Sequence, residues 1–480
     1  MNIFRLTAFL FVSLLLSGCR NTSGDCRVLS DRMMTEFTKG NFSGLDSIFN
    51  LLKLSCKDLD TIRKADSLCQ VADRIELDFP FNEQSINDQL KKRKISYTEE
   101  EKADWEGKNW LESTIINGEK RYFRRAVSNL QLIKDFYHDR SARDTLNAHD
   151  RDIIFRKNHT REIIRSSEPD NRPVVPVKMT VNYTLTVNAD VVPEGRKIRC
   201  WLPYPRADQE RQKDVVLLSA SAEKYMISPN SAIHSTIYME SEAVKGLPVV
   251  FSVKYIYQSS GQYFDPSAIA FLPYRTKTEL FRKYTAEEPP QINFSDPVRR
   301  LADSITGDEK QPYKIVSKIF RWFNRNIPWA GALEYSTMPD IPGYVIRNRR
   351  GDCGMQTFLL MSMLRYKGIP VRWQSGWMVP PGAENLHDWC EVYYEGTGWV
   401  PVDISYGLQY PADPGMKEFY VTGIDSYRLI VNNGISGRLF PAKRFVRSEP
   451  FDFQRGEVEW EGGNLYFDKW DYNMEITYNQ

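Results

Sequence analysis

The stretch Arg349-Arg350-Gly351-Asp352-Cys353-Gly354-Met355-Gln356-Thr357-Phe358-Leu359-Leu360-Met361-Ser362-Met363-Leu364 decides the reading of this chain. Met355, Phe358, Leu359, Met363 and Leu364 keep i, i+3, i+4 spacing, and Leu360 and Met361 widen the stripe. The pattern predicts a buried helix, stopped by Gly368 and Pro370. Cys353 then stands at the helix N-terminus. Unpaired N–H groups and the positive end of the helix dipole favour a thiolate there, and the thiolate is the nucleophilic form.

Three strand-like segments follow: Val371 to Met378, His387 to Tyr394 and Thr397 to Ile404. The last two are joined through Glu395-Gly396-Thr397-Gly398. A three-residue loop Tyr394-Glu395-Gly396, with Gly396 at the position needing positive φ, makes His387 and Asp403 direct cross-strand partners. Directly opposed Cβ atoms lie ~4.5 to 5.5 Å apart, close enough for a carboxylate to reach an imidazole N–H. The same register puts Trp389, Glu391, Trp399 and Pro401 on that face and turns Cys390 to the other, across from Val400. A thiol, an imidazole and a carboxylate are the parts of an activated nucleophile. Cys353 would attack an amide or ester carbonyl to give a thioester, His387 would carry the proton, and Asp403 would orient the ring. The backbone N–H of Cys353 is the first expected oxyanion donor, with Trp329 or Tyr335 as candidates for a second. Glu391 shares the His387 face and is read as structural before it is read as an orienter.

The runs Gly-Asp-Cys-Gly-Met-Gln (351–356), Leu-Arg-Tyr-Lys-Gly-Ile-Pro-Val-Arg (364–372), His-Asp-Trp-Cys-Glu-Val-Tyr (387–393) and Gly-Trp-Val-Pro-Val-Asp (398–403) resemble the transglutaminase-like superfamily. The resemblance spans about Asp296 to Pro411 and implies a papain-like core with a Cys-His-Asp triad acting on amides. That triad carries over onto Cys353, His387 and Asp403. Members of the superfamily include cross-linking enzymes, peptidases, amidases acting on glycopeptides and inactive copies, so the resemblance leaves the reaction open.

At the N-terminus Arg5 precedes the apolar run Leu6 to Leu16, too short to span a bilayer and suited to an export signal. Leu16-Ser17-Gly18-Cys19 resembles the lipobox of bacterial lipoproteins, which implies removal of residues 1–18 and lipidation of Cys19. The expected location is the cell envelope, lipid-anchored. Arg20 does not resemble the Asp that retains some lipoproteins at the inner membrane, which favours the outer one. Of the 7 Cys, 6 remain after Cys19 is set aside, and export would allow two of Cys26, Cys56 and Cys69 to pair. Cys200 and Cys390 read as buried strand residues.

With 64 basic and 62 acidic residues the net charge is +2, which excludes a general nucleic-acid-attracting field. The run Lys91 to Lys94 is followed by Glu99 to Glu101 and reads as a solvated surface. No paired Cys-x-x-Cys or His-x-x-x-His spacing occurs among the 5 His and 7 Cys, so neither a metal nor another cofactor is expected.

The chain of 480 residues has room for several domains. Residues 19–170 read as a helical region, in which His138, His149 and His159 stand among charges as surface residues. Residues 171–288 alternate in polarity from Met179 to Val187 and continue in short strands, the pattern of a β-sandwich. Residues 289–411 hold the catalytic core, with helices over Asp296 to Thr306 and Gln311 to Asn326 and an irregular loop Pro328 to Val345. Residues 412–480 read as a C-terminal β extension, with strands over Phe419 to Thr422, Arg428 to Val431, Val458 to Trp460 and Leu465 to Phe467. The expected class is α+β: a papain-like, transglutaminase-like core behind a β-sandwich and an N-terminal helical region. The expected function is hydrolysis of amide bonds in a peptide, protein or glycopeptide. The competing reading is a catalytically silent lipoprotein that binds a glycan or peptide.

Overall fold

The computed structural model describes residues 24–138, 151–167, 171–269, 271–409 and 414–479. The expected leader 1–18, Cys19 and His149 lie outside them. The fold is α+β, and the chain divides into two compact units. The first comprises Met1–His138, Pro289–Gln291 and Pro328–Arg350; the second comprises Asp139–Glu288, Ile292–Ile327 and Gly351–Gln480.

In the first unit, helices Phe42–Ser55, Leu59–Asp78, Glu83–Lys92 and Glu99–Gly107 each start on a side-chain cap, from Asn41, Asp58, Asn82 and Thr98. Such caps satisfy N–H groups that the first turn leaves unpaired. Their buried faces form one core with Leu45, Leu52, Ile86, Leu90 and Leu130. The region is not all helical, as the composition suggested. Strands β1 (Ser113–Ile116) and β2 (Glu119–Tyr122) form a hairpin around Asn117-Gly118, both at positive φ. That dipeptide is the turn signal that the surrounding charge obscured. Cys26 and Cys56 form a disulfide, and Cys69 stays free with its thiol pushed up to about 12 by burial. The segment expected as a loop from Pro328 to Val345 contains the helix Ile341–Asn348, capped by Asp340 with Pro342 in its first turn. Arg350 closes the segment, buried with its guanidinium 2.8 Å from Glu112 and 2.9 Å from the Tyr344 hydroxyl.

The second unit is built on antiparallel sheets. Strands β3 (Val174–Val187), β4 (Lys197–Pro203), β5 (Gln212–Ala220), β6 (Tyr225–Ile227), β7 (Thr236–Glu242) and β8 (Val249–Tyr263) precede the Cys353 helix. Then come β9 (Val371–Met378), β10 (Asn385–Tyr394), β11 (Gly398–Val402), β12 (Gly423–Ile424) and β13 (Arg428–Asn432). Strands β14 (Glu457–Trp460), β15 (Gly463–Leu465) and β16 (Trp470–Asn479) end the chain. One sheet runs β12-β8-β3-β16 with β5 also on β8, a second runs β15-β14-β4-β7-β6, and the third runs β11-β10-β9-β13. The first two share a core that includes Val181, Tyr183, Trp201, Phe251 and Val458. The last sixty residues thus add a strand or more to every sheet of this unit. Phe419 to Thr422, expected as a strand, is a short helix; all four side chains are buried, so no period-2 alternation selects an extended form.

The helix Cys353–Tyr366 is buried at every position from Cys353 to Arg365, which explains why its apolar stripe widened into a full circle. It lies on the third sheet, where Phe358 stacks on Trp373 at 4.4 Å between ring centroids. Helices Asp296–Thr306 and Pro312–Asn326 pack on it, the second through Ile315, Val316, Ile319, Phe320 and Phe323.

Candidate active site

Strands β10 and β11 pair Cys390 with Val402, Glu391 with Pro401, Val392 with Val400 and Tyr394 with Gly398. The loop is therefore Glu395-Gly396-Thr397, one residue later than expected, and both Gly396 and Gly398 take positive φ. Cys390 faces Val402 rather than Val400, and His387 is not directly opposite Asp403. The displacement changes each pairing by two residues, an even step, so no side chain changes face. Asp403 stands just past β11, where it caps the turn Ile404–Tyr406. From that diagonal position its Oδ2 lies 2.7 Å from His387 Nε2.

That Oδ2 is also 2.7 Å from Arg428 Nη1, and Arg428 Nη2 holds Asp425 at 2.6 Å. Burial alone would raise the Asp403 carboxyl. The His387 ring and the Arg428 guanidinium outweigh it and hold Asp403 below the ordinary carboxylate range. Burial pushes the His387 imidazole below its ordinary value, against the pull of Asp403. The ring is thus neutral at pH 7. With an ionised carboxylate on Nε2, the proton sits on Nε2 and donates to Asp403, which leaves Nδ1 as the basic nitrogen. Tyr406 meets the ring edge-on at 5.1 Å and Trp389 stacks at 5.9 Å, shielding the pair from water.

Cys353 is the first residue of its helix, with Asp352 as the cap accepting from the Met355 N–H at 3.0 Å. The sulfur is hydrogen-bonded to Asp388 Oδ2 at 3.4 Å, the residue after His387, rather than to the imidazole. The expectation of a helix-stabilised thiolate fails here. Burial, followed by the Asp388 and Asp352 carboxyls, pushes the thiol well above its ordinary value; the backbone N–H of Asp388 pulls only weakly the other way. Helix-end effects reach ~2 kcal/mol at best, less than the cost of burying a charge without a counter-ion.

Asp388 is itself buried, and burial with the neighbouring Asp352 raises it well above the carboxylate range. Its Oδ1 accepts from Gln454 Nε2 at 2.7 Å, and the same Nε2 reaches His387 O at 3.0 Å. Asp388, Gln454 and Arg428 were not anticipated. Asp388 had a signal in the His-Asp-Trp run, but strand alternation turned it away from the His387 face. Arg428 and Gln454 are brought in by long-range pairing.

Trp329 and Tyr335 belong to the first unit, Trp329 exposed and Tyr335 buried in a single helical turn, whereas Cys353, His387 and Asp403 belong to the second. Glu391 is held by Arg372 at 2.6 Å and Arg211 at 3.3 Å, a buried structural ion pair. His159, expected at the surface, is buried: its Nε2 accepts from the Ser426 N–H at 3.1 Å and its ring packs on Tyr427. Among the described residues no cluster of three or more His, Cys, Asp and Glu side chains could hold a metal, and no helix is long and apolar enough to cross a membrane.

Comparison with known proteins adds the following. The chain is 25% identical over 134 residues to the uncharacterized protein YebA of Bacillus subtilis (strain 168), covering 24% of this chain and 18% of that one. It thus spans less than a fifth of that relative's length. Among solved structures it is similar to a candidate cysteine protease from Cytophaga hutchinsonii, with a TM-score of 0.41, 14% identity, and coverage of 64% of this chain and 92% of the other. It is also similar to the periplasmic domain of TgpA from Pseudomonas aeruginosa, with a TM-score of 0.26, 16% identity, and coverage of 51% and 91%. The family model described as transglutaminase-like superfamily matches residues 299–404, the span that holds Cys353, His387 and Asp403, so the chain carries a transglutaminase-like domain.

Proposed function

We propose that this chain is a cysteine-dependent hydrolase of amide bonds in peptides, proteins or glycopeptides, acting through a thioester on Cys353. The observation that carries the reading is the buried His387–Asp403 contact of 2.7 Å, backed by Arg428, which holds the ring proton on Nε2 and leaves Nδ1 basic, while burial keeps the imidazole neutral. Such a ring takes the thiol proton as Sγ attacks the carbonyl carbon and the C=O electron pair moves onto oxygen. The tetrahedral intermediate then collapses, the C–N bond breaks, and the imidazolium returns its proton to the leaving amine. Water next gives a proton to Nδ1 and attacks the thioester; the acid leaves, and the proton returns to sulfur. Asp403 stays ionised and stabilises the imidazolium. Hydrolysis rather than cross-linking is the default, because transfer to an amine requires a site that excludes water. We place the enzyme in the bacterial envelope, lipid-anchored through Cys19.

The competing reading, a silent binder of glycan or peptide, draws on the thiol being bonded to Asp388 and held neutral. Iodoacetamide labelling of the chain from Asn21 separates the two. A catalytic thiol labels at Cys353 faster than free cysteine, in a pH-dependent way, and more slowly after His387→Ala. Labelling at or below the rate of free cysteine, unchanged by His387→Ala, favours the binder. Screening peptide, cell-wall and glycoprotein substrates with Cys353→Ala as control then identifies the class.

A further inference from the structure

We propose that Asp388 is a catalytic residue that donates an Oδ2–H hydrogen bond to the oxyanion formed when Cys353 attacks a carbonyl. The inference rests on the hydrolase reading above and supplies its missing second oxyanion donor.

Three observations meet at this side chain. The first is distance: Oδ2 lies 3.4 Å from Sγ. In the tetrahedral intermediate the oxyanion is bonded to the carbon that sulfur attacks. A group already touching the sulfur is thus within reach of that oxygen, at the ~2.7–3.1 Å an oxyanion donor requires. The second is the place of the proton. Gln454 Nε2 donates to Oδ1 at 2.7 Å, so the proton of a neutral Asp388 is carried on Oδ2, whose oxygen in the resting site also accepts from the Cys353 thiol and is released when that thiol gives up its proton. Gln454 is fixed in turn, because the same Nε2 donates to His387 O and the Gln454 main-chain carbonyl accepts from Trp377 Nε1 at 3.1 Å.

The third is the electrostatic setting, which keeps the acid neutral. Asp388 is 2% exposed. Burial first, then Asp352, Glu449 and Asp403 raise it, against the hydrogen bond from Cys353, and Asp452 and Glu449 are themselves raised by burial first. Arg455, on Glu449 at about salt-bridge contact, is spent on that carboxyl. A carboxylic acid kept neutral by apolar burial is a strong donor to a developing anion, since donor and anion compete for one proton in a low-dielectric site. During attack the Sγ–C bond forms, the carbonyl electron pair moves to oxygen and the thiol proton goes to His387 Nδ1. The Asp388 proton remains on Oδ2 and is shared with the oxyanion, not transferred. The N–H of Cys353 supplies the other donor.

The test compares two reagents on the wild-type chain from Asn21 and on Asp388→Asn and Asp388→Val. Acylation of Cys353 by p-nitrophenyl acetate passes through a tetrahedral oxyanion; alkylation by iodoacetamide does not. In Asp388→Asn the Gln454 amide still occupies Oδ1 and leaves Nδ2 facing sulfur, so a donor survives. The expected result is an acylation rate, taken relative to alkylation of the same variant, that falls about 100-fold in Asp388→Val and less than about 10-fold in Asp388→Asn. Equal loss on both reagents, or an Asn variant as slow as the Val variant, overturns the role of Asp388 and leaves the hydrolase reading intact. A wild-type Cys353 that both reagents modify no faster than free cysteine overturns the hydrolase reading and this assignment with it.

Discussion

Asp403 Oδ2 receives hydrogen bonds from His387 Nε2 and Arg428 Nη1 at the same 2.7 Å. An amide at this position can keep only part of that arrangement. Asp403→Asn removes the charge that stabilises an imidazolium and allows the ring to reverse its tautomer, so kcat is expected to fall about 10³–10⁴-fold with KM little changed. The pH profile adds a sign. Neutral His387 is the working form and burial lowers its value, so the acid limb of kcat/KM should lie below the ordinary 6.5. Asp403 provides the main upward pull on the ring, so its removal should shift the residual limb further to acid. A limb at or above 6.5 in the wild type would contradict the buried, neutral ring. At this scale the shared face of His387 and Asp403 was legible because strand alternation survives a two-residue shift. The Asp388 contact was not, because alternation says nothing of what approaches from a neighbouring helix end.

Elements were legible where one period dominates. The helix Cys353–Tyr366 and strands β3, β9 and β10 stand where apolar spacing put them. The β10–β11 register was not, because Glu395-Gly396-Thr397-Gly398 offers two glycines two residues apart and both lie at positive φ in the fold. The β1–β2 hairpin was hidden for a similar reason: its four-residue strands carry too few side chains to outvote the charged helices around them. In the same unit the Cys26–Cys56 disulfide closes a loop with a sequence separation of 30 across the helices Gly24–Lys39 and Phe42–Ser55. Cross-linking over that span removes unfolded-chain entropy worth about 3–4 kcal/mol. Replacing both cysteines with Ser should lower the stability of this unit by that order in urea melts, and adding reductant to the double variant should then change nothing. Loss of stability on reduction of the double variant would mean that another pairing exists.

On the scale of the whole molecule, the C-terminal segment reaches further than its sequence shows. Short strands between Gly- and Asn-bearing turns read as a β extension that completes one sheet near the cleft. In the fold β13 borders β9 of the sheet that carries His387, β14 borders β4, and β16 runs antiparallel to β3 from Trp470 against Val187 to Asn479 against Lys178. Val458, Leu465 and Trp470 enter the shared core, with Trp470 2% exposed. Burying each contributes ~1.5–3 kcal/mol. Their loss, together with the unpaired edges left on β3 and β4, approaches the ~5–15 kcal/mol that holds a typical domain folded. A chain ended after Gly456 is therefore expected to lose cooperative unfolding of the whole second unit, the sheet that carries His387 included, and not merely to be shorter. The measurement is thermal unfolding followed by near-ultraviolet circular dichroism of the Trp and Tyr side chains, with the wild-type chain alongside. A truncated chain that keeps a single sharp transition and the wild-type rate of Cys353 labelling would make the segment a dispensable appendage, and the sheets self-sufficient without it.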